Sequence, residues 1–511
     1  MSQNTIRYGD WSKERHGWLF GLTGASWVLI VLTGLPVLAA VGAHAWVLAG
    51  TWTPVWGLVG AGVAVPIRSR AAARWITDAL LRESGGLMGW TSWQSLAAAG
   101  RAGNRDEADL PGVLAGIRTH DGPPFGPLLT RPAIVQDHAA RTWSAVAKIT
   151  HPGIGLAEAG SRARMGAGLA DLLEGAVTAD LVSVLVIQVR TVPDDGAERT
   201  AWQQQHVRPD APALALAVNA ELSAGIVAAG VRHEIFVTVV VGDRRIARQA
   251  RAAGGGVDGY ARALYSVMGE IEARLMGATG CTGVTWLDTP ALAEAIRTGF
   301  APGDRAGLRT AALNPAGAGA GGEARAGTVP MAAAGPSYAP HPERRHYTHD
   351  AWSSVSCTLL LPERGAVMGA LAPVLSPSTA GERRCLSVFL EPLPARAADR
   401  LVGAESMSAT TAAEVRTRMG FSTRATHQRD AARVQGQDVR LAGGRALVRV
   451  AVAVAVTVPS VWAVEDFGRQ LEASVRASGF SPLRLDLAQD SGFAAACIPL
   501  GIGLPQRRGI R

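Results

Sequence analysis

The chain has 511 residues, a formal net charge of +8, a hydrophobic fraction of 48% and a charged fraction of 18%. This composition is too apolar for a disordered protein and low in charge for one that is wholly exposed to water. The four scattered cysteines exclude a disulfide scaffold and a CxxC zinc site, and we expect small buried side chains in a reducing compartment at Cys281, Cys357, Cys385 and Cys497.

Two lysines, Lys13 and Lys148, are present among 50 basic residues. A phosphate-binding loop needs a lysine directly after its second glycine to reach the β- and γ-phosphates of a nucleotide. Neither lysine follows a glycine, so the sequence excludes a P-loop ATPase. We therefore expect no nucleotide binding and no cofactor.

An uncharged run of 51 residues covers positions 17–67. A bilayer core about 30 Å thick takes ~20 helical residues per crossing, so the run predicts two transmembrane helices joined by a tight turn. The predicted helices are at about 18–40 and 45–66, with the turn near 41–44. Because basic residues flank both ends of the run, we expect both termini and the main body in the cytoplasm of a plasma-membrane protein.

Among the tryptophans of this run, Trp18, Trp46, Trp52 and Trp56 are typical of the membrane interface or of helix ends near the turn. A cleaved signal peptide is the competing interpretation, but its apolar region is only about 7–15 residues long. Residues 70–82 then place apolar side chains at helical spacing with arginines opposite. They predict either a helix at the lipid headgroups or a solvated helix that packs on the body.

Beyond a glycine-spaced connector, strand and helix patterns alternate. The predicted strands are at 134–135, 143–149, 181–189, 236–241 and 283–286, and the predicted helices at 156–177, 211–229, 244–276 and 290–297. This alternation predicts an α/β or α+β domain over 105–305. Residues 314–342 include 20 Ala, Gly or Pro among 29, which predicts a flexible linker or a surface loop.

A second folded body is predicted after the linker. Its strands are expected at 354–361, 386–390, 446–458 and 483–487, and its helices at 366–375, 394–433 and 461–478. This order predicts a small open sheet covered by helices. Residues 448–458 are almost continuously apolar, as expected of a central strand that is buried on both faces.

The predicted fold is a membrane-anchored α+β or α/β protein, with an N-terminal two-helix transmembrane hairpin followed by two cytoplasmic mixed α/β domains. The predicted divisions are a cytoplasmic tail (1–17), the hairpin (18–66), a juxtamembrane connector (67–104), the first domain (105–305), an Ala/Gly/Pro-rich linker (306–344), the second domain (345–505) and a basic tail (506–511).

Each candidate site has a simpler structural explanation. His341, His346 and His349 could bind a metal, but they abut the linker without a helical i, i+4 pair, which favours solvated loop histidines. Asp194 and Asp195 stand in Pro-Asp-Asp-Gly, where aspartate is favoured because its side chain caps the turn. We predict no general acid or base there.

The glycine run 254–256 lies between helical segments rather than after a strand, so it predicts a helix break and not a dinucleotide fingerprint. Four arginine pairs, 244–245, 344–345, 383–384 and 507–508, lack an aromatic stacking platform and are typical of a solvated face. We expect no direct nucleic-acid binding. With no GxSxG, HExxH or catalytic cysteine context, the sequence predicts no catalytic, cofactor-binding or metal-binding residue.

Several short motifs occur in order along the chain. They are Arg-Thr-Trp-Ser-Ala-Val (141–146), Gly-Leu-Ala opening a helix (155–157), Val-Arg-Thr-Val-Pro-Asp-Asp-Gly (189–196) and a closing Pro-Leu-Gly-x-Gly-Leu (499–504). With the N-terminal hairpin, they resemble an actinobacterial membrane-protein family encoded with conjugation-type (type IV) secretion genes. The hairpin resembles the small two-helix inner-membrane subunit, and the body resembles the amino-terminal, non-ATPase region of the conjugation ATPase.

The resemblance implies a non-catalytic structural subunit that anchors and positions a separate ATPase at a transfer channel. It implies as partners membrane lipids, that ATPase and other membrane subunits, in an oligomeric assembly. The family's ATPase continues into a phosphate-binding loop, to which no position here corresponds, so no nucleotide-binding residue carries over.

Two other interpretations stay open. The E component of a mycobacterial-type (type VII) secretion core also has two N-terminal membrane helices and a cytoplasmic body, so topology does not separate the two systems. A membrane-anchored enzyme with an unrecognised site is the third. Neighbouring genes distinguish the first two, because a conjugation ATPase favours one and small WxG-type substrates favour the other.

Overall fold

The structure is a computed structural model that describes residues 7–9, 24–67, 70–155, 157–193, 196–208, 210–229, 231–313, 328–362, 365–418 and 425–502. The chain forms two compact units, Trp11–Ser92 and a larger unit of Met1–Asp10 with Trp93–Arg511. The fold is mixed α/β with a large antiparallel sheet, which confirms the predicted class at that level.

The unit Trp11–Ser92 consists of a helical hairpin followed by a third helix. In chain order, the first elements of the protein are β1 (Arg7–Tyr8), α1 (Gly24–Gly42), α2 (Trp46–Ala64), β2 (Pro66–Ile67), β3 (Arg70–Ala71) and α3 (Ala72–Met88). Helices α1 and α2 confirm the two predicted helices and their tight turn, in which His44 has φ +57°. Helix α3 confirms the helix predicted at 70–82.

The larger unit is built from two sets of elements. The first set is β4 (Trp93–Gln94), β5 (Ile117–Asp121), β6 (Ala133–Asp137), β7 (Thr142–Thr150), α4 (Ala159–Ala179), β8 (Val182–Pro193), α5 (Ala197–His206), α6 (Ala213–Ala229), β9 (Val231–Gly242), α7 (Asp243–Ala252), α8 (Gly256–Ala278), β10 (Gly283–Trp286), α9 (Thr289–Phe300) and α10 (Asp304–Leu313). The second set is β11 (Tyr338–Ala339), β12 (Tyr347–His349), β13 (Trp352–Leu360), β14 (Ala366–Val367), β15 (Arg383–Pro392), α11 (Ala395–Arg418), α12 (Ala425–Ala442), β16 (Val448–Pro459), α13 (Val464–Ala477), β17 (Ser481–Arg484) and α14 (Gln489–Cys497).

One antiparallel sheet of eleven strands joins both sets. Its order is β12-β13-β16-β15-β8-β9-β7-β6-β5, with β10 paired to β7 and β17 paired to β13. Strand β16 lies between β13 and β15 and is buried over most of its length, which confirms the predicted central strand. Its alternating valines suit this position because β-branched side chains pack well on a pleated surface.

Helices cover both faces of the sheet. Helices α9 and α14 pack on one face, around a core that includes Phe300, Phe389 and Phe493. On the other face, α4, α7 and α8 cover the strands of the first set, and α13 covers those of the second. The result is a three-layer arrangement with the sheet in the middle.

The two sets repeat one another in order and in pairing. We call them the N-terminal half (β6–β10 with α4–α9) and the C-terminal half (β12–β17 with α11–α14). Each begins with a hairpin, β6–β7 or β12–β13, and each carries two helices between its next strands, α5–α6 or α11–α12. Each then returns a short strand, β10 or β17, to its own hairpin before a final helix.

Equivalent backbone hydrogen bonds support this internal repeat. In the N-terminal half, the Leu287 amide donates to the Val146 carbonyl at 2.9 Å. In the C-terminal half, the Leu485 amide donates to the Ser356 carbonyl at 3.2 Å, from the same place relative to the short strand. An aspartate follows each leucine in the sequence. The halves meet where β8 pairs with β15, and we call this pair the seam.

The two halves share one sheet, whereas the sequence predicted two separate domains at 105–305 and 345–505. These segments correspond to the two halves, but the seam joins them through continuous backbone pairing from Leu185–Leu390 to Thr191–Arg384. A pairing between residues about 200 positions apart leaves no local signal in the sequence.

Two further local predictions were wrong. The linker predicted over 306–344 contains described residues that pack in the core, because Met331, Ala334 and Ala339 are buried. Positions 314–327 lie outside the described residues. The helix predicted at 366–375 is instead the short strand β14 followed by a 3₁₀ turn at Ala372–Leu375.

Candidate functional site

The final helix of each half is held by the other half. Helix α9 is capped at its start by Asp288, whose carboxylate accepts from the Ala291 amide at 3.0 Å. At its other end, the fully buried Arg383 donates to the carbonyls of Thr298 at 2.5 Å and Gly299 at 2.6 Å. A guanidinium suits this place because the last carbonyls of a helix carry partial negative charge.

Helix α14 is held in the equivalent way. The Gln188 amide donates to the Ala496 carbonyl at 2.8 Å, and the Ser387 hydroxyl reaches the same oxygen at 3.0 Å. Gln188 and Ser387 are direct partners across the seam. The final helix of each half is therefore hydrogen-bonded to a side chain of the other half.

Two of the segments that carry the family resemblance, 141–146 and 499–504, meet in this region. Thr238 in β9 pairs with Val146 in β7 and with Val186 in β8, and its hydroxyl donates to the Pro499 carbonyl at 2.9 Å. Leu500, the next residue, is buried. The motif residues Val146, Pro499 and Leu500 are thus part of the packed centre of the fold.

We expect Gly501→Ala to destabilise the protein more than Gly479→Ala does. Both glycines have positive φ, +71° and +82°, so each alanine costs about 1–2 kcal/mol of backbone energy. At Gly501 an added Cβ would also lie 2.6 Å from Val240 Cγ2, whereas at Gly479 it would meet no atom within 4 Å. The clash adds about 1–3 kcal/mol. Chemical unfolding of both variants measures the difference, and equal losses would contradict this packing.

A charged cluster is buried beside the seam. Glu234 in β9 contacts Arg190 at 3.0 Å, Lys148 at 3.7 Å and Arg305 at 3.8 Å. Arg190 also donates to the Ala295 carbonyl of α9 at 2.7 Å. The cluster therefore connects the sheet to the helices on its α9 face.

Opposing effects set the charge of these groups. Burial by itself would raise the pKa of Glu234, but the nearby Arg190, Lys148 and Arg305 lower it to about 2. Burial also lowers the pKa of Lys148 despite the nearby carboxylate. One carboxylate thus lies among several cations and stays charged in the interior, which is the arrangement of a buried structural network.

The histidine prediction was wrong for His349. This residue is fully buried in β12, where its Nε2 lies 2.9 Å from the Ser354 hydroxyl and its ring packs 4.3 Å from the Phe493 ring centre. Burial and the nearby Arg383 lower the pKa of His349 well below its usual value. His341 and His346 are partly buried. Across the described residues, no group of three His, Cys, Asp or Glu could hold a metal ion.

The arginine-pair prediction was wrong for Arg383 and Arg384, which are buried rather than solvated. Arg384 donates to Glu382 at 2.6 Å and to the Ser474 hydroxyl of α13 at 3.0 Å. It lies on the floor of a groove of about 630 Å³, which Ser378 and other polar side chains also line. Because Glu382 already neutralises Arg384, the groove floor carries a paired charge.

The other sequence candidates have structural positions or lie outside the described residues. Gly254 and its neighbours have positive φ between α7 and α8, which confirms the predicted helix break. Arg245 in α7 donates to the Val182 carbonyl. Cys357, Cys385 and Cys497 are buried and Cys281 is partly buried, close to the prediction. Among the candidates, Lys13, Asp194, Asp195, Arg507 and Arg508 lie outside the described residues, as does Trp18.

Helices α1 and α2 form a second candidate surface. The indole N–H groups of Trp52 and Trp56 in α2 donate to carbonyls of α1, those of Thr33 at 3.1 Å and Ile30 at 2.9 Å. Large apolar side chains face outward, including Val28, Leu32, Leu38, Val47, Leu48, Val55 and Leu58. Over the part of the chain that the structure describes, no helix is both long enough and apolar enough to cross a membrane.

The chain matches no family model, and no curated protein is significantly similar to it. The resemblance to conjugation proteins therefore rests on the quoted motifs and their order.

Proposed function

We propose that the protein is a non-catalytic inner-membrane subunit of a conjugation-type secretion machine, which anchors and positions a separate ATPase at the transfer channel. The hairpin is the membrane anchor, and the eleven-stranded body is the docking platform in the cytoplasm, together with both termini. The E component of a type VII secretion core is the alternative for the same architecture.

The proposed membrane anchor is supported by the outward-facing apolar surface of α1 and α2. Leu38 is 70% exposed and Val47 is 82% exposed, although a water-soluble protein rarely exposes a contiguous apolar patch larger than a few hundred Å². The polar indole groups bond inward to the partner helix, as lipid-exposed helices require. The uncharged sequence also extends past both helices, to residues 17 and 67.

Helix α3 supports the same location. Its exposed apolar side chains Ile76, Leu80 and Leu87 recur at three- and four-residue multiples, and Arg70 lies just before the helix. An amphipathic helix directly after a membrane anchor suits the headgroup region. The motif residues that meet around Thr238, which are Val146, Pro499 and Leu500, support a structural role, since their side chains pack inside the fold.

We expect Val31→Asp with Leu58→Asp to remove the protein from carbonate-washed membranes. Both side chains are exposed on the hairpin, and an aspartate at the centre of a membrane helix costs about 2.5–3.5 kcal/mol. Val439→Asp on the body is the matched control and should stay in the membrane fraction. Extraction of the unaltered protein by carbonate would contradict membrane anchoring.

A second experiment tests whether the protein belongs to a conjugation-type secretion machine. Affinity purification of the detergent-solubilised full chain should recover the conjugation ATPase, and deletion of the gene should abolish transfer of the plasmid or element. Unaffected transfer without a co-purified ATPase would contradict the conjugation assignment. Loss of secretion of small WxG-type proteins would instead support the type VII alternative.

A further inference from the structure

Two cysteines contact each other in the interior of the larger unit. Cys385 is in β15 and Cys497 is the last residue of α14, and both are fully buried free thiols in the same core. The two thiols share a hydrogen bond. Neighbouring residues show the same approach of strand and helix, because the Ser387 hydroxyl donates to the Ala496 carbonyl at 3.0 Å. The fold therefore holds the two sulfur atoms side by side.

The surroundings of Cys385 favour a negative charge. Arg190 is its direct partner across the seam, and paired residues project from the same face of a sheet. Arg383 lies two residues before Cys385 and therefore also projects from this face. Both arginines are buried, and the Nε atom of each has no acceptor among the described residues. A buried donor without an acceptor costs free energy, so a thiolate near these two groups is stabilised.

The two thiols are not equivalent. Burial by itself raises the pKa of Cys385. The hydrogen bond from Cys497 and the nearby Arg383 and Arg190 together lower this pKa below its usual value. Burial and the same hydrogen bond raise the pKa of Cys497 well above its usual value. Cys385 is therefore the sulfur that ionises, while Cys497 keeps its proton and donates to it.

The other two cysteines provide internal controls. Cys357 in β13 is as deeply buried as the pair, but burial and the nearby Glu472 raise its pKa to about 12. Its thiol stays protonated, and a thiol is a poor nucleophile compared with a thiolate. Cys281 is only partly buried, and its sulfur lies 3.2 Å from the Thr279 hydroxyl. One control thus matches the burial of the pair, and the other has greater access to solvent.

We propose that Cys385 and Cys497 form a reversible disulfide when the protein meets a peroxide. The Cys385 thiolate attacks one oxygen of hydrogen peroxide, so that an S–O bond forms, the O–O bond breaks and hydroxide leaves and takes up a proton. The Cys497 sulfur then attacks the resulting sulfenic acid, so that the S–S bond forms, the S–O bond breaks and a second water leaves with the Cys497 proton. The two thiols lose two electrons, which reduce the peroxide to water.

The disulfide would fasten the end of α14 to the sheet. The sulfur atoms already in contact have to approach to a bond length of about 2.0 Å. The chain after Cys497 packs on the sheet, where the Pro499 carbonyl accepts from the Thr238 hydroxyl at 2.9 Å, so the linkage would restrain this segment too. A disulfide in a reducing compartment is usually transient and redox-sensing. Because both thiols are buried, oxidation should be limited by local opening at the end of α14.

The test uses the unaltered full chain in detergent, treated with hydrogen peroxide at neutral pH. The protein is then unfolded in N-ethylmaleimide, which blocks the remaining thiols, and its peptides are mapped by mass spectrometry. We expect the peptides of Cys385 and Cys497 to be linked with the loss of two hydrogens, and dithiothreitol to release them. Cys385 should lose its free thiol at least about tenfold faster than Cys357.

A variant separates the two steps. Cys497→Ala removes the second thiol, so dimedone should trap the sulfenic acid at Cys385. Cys281→Ala keeps the buried pair and is the matched control, which should form the linkage as the unaltered chain does. Free thiols at both Cys385 and Cys497 after Cys281 has been oxidised would overturn the proposal. Equal oxidation of Cys385 and Cys357 would also overturn it, because oxidation would then occur only in unfolded chains.

Discussion

We expect Arg383→Met to lower the free energy of unfolding by about 3–5 kcal/mol. Arg383 is fully buried and donates to the Thr298 and Gly299 carbonyls and, at 3.1 Å, to the Thr457 hydroxyl. Methionine has a similar stem but no donor, so it leaves the carbonyls at the end of α9 without these bonds in a dry interior. It also removes a positive charge from the negative end of a helix.

Arg383→Lys should lie between the wild type and Arg383→Met, because an ammonium is a point charge without the forked donors of a guanidinium. Arg469→Met is the matched control, since Arg469 is exposed and pairs with the exposed Asp466, which predicts a loss below about 1 kcal/mol. Guanidinium unfolding of the detergent-solubilised chains measures all three. A loss at Arg383→Met no larger than at Arg469→Met would show that the carbonyls find other donors.

Local patterns in the sequence identify most strands and helices. The valine-rich run of β16, the short strand β10 and the hairpin of α1 and α2 follow directly from apolar periodicity and the absence of charge. Strand β5 and helix α5 were missed, because Arg118 and His120 interrupt one apolar pattern and α5 is mostly polar. Local periodicity therefore predicts elements better than their arrangement.

The single sheet could not be predicted from the same patterns. Cys385 and Arg190 are paired neighbours across the seam but are 195 residues apart, so no short-range rule connects them. One weak signal of the repeat is present. Leu287-Asp288 and Leu485-Asp486 each follow a short strand, and each precedes the final helix of its half.

The buried arginines were missed for a physical reason. Adjacent arginines are usually solvated, so Arg383-Arg384 alone gives no sign of burial. Their partners include the Thr298 carbonyl, and a backbone carbonyl has no signature in the sequence. Such a cluster becomes visible only when the end of α9 is placed against the sheet.

The seam also affects how the body could serve as a docking platform. The two halves share one sheet, and each terminal helix is bonded to the opposite half through Arg383 or Gln188. A hinge between the halves would have to break these bonds together with the β8–β15 ladder. We therefore expect the body to present a fixed surface to an ATPase, which suits a positioning role better than a gate.

We expect Glu234 to account for a large part of the decrease in the free energy of unfolding at acid pH. The carboxylate has its pKa lowered from 4.5 to about 2, so the folded state favours its charged form. A lowered pKa contributes stability that is fully present above pH 4.5 and is lost as the pH falls through about 2. At 1.36 kcal/mol per pKa unit, this contribution is about 3 kcal/mol.

We expect Glu234→Gln to lower the free energy of unfolding by about 3–5 kcal/mol near neutral pH, because the buried Arg190 loses its carboxylate partner. The difference from the wild type should shrink as the pH falls from 4.5 towards 2, where the wild-type carboxylate also becomes neutral. Unfolding curves across this range measure that difference, which separates Glu234 from the other carboxylates. Glu270→Gln is the matched control, since its i, i+4 pair with Arg274 is exposed and worth less than about 0.5 kcal/mol. A pH-independent difference at Glu234→Gln would mean that the charge of this residue does not stabilise the cluster.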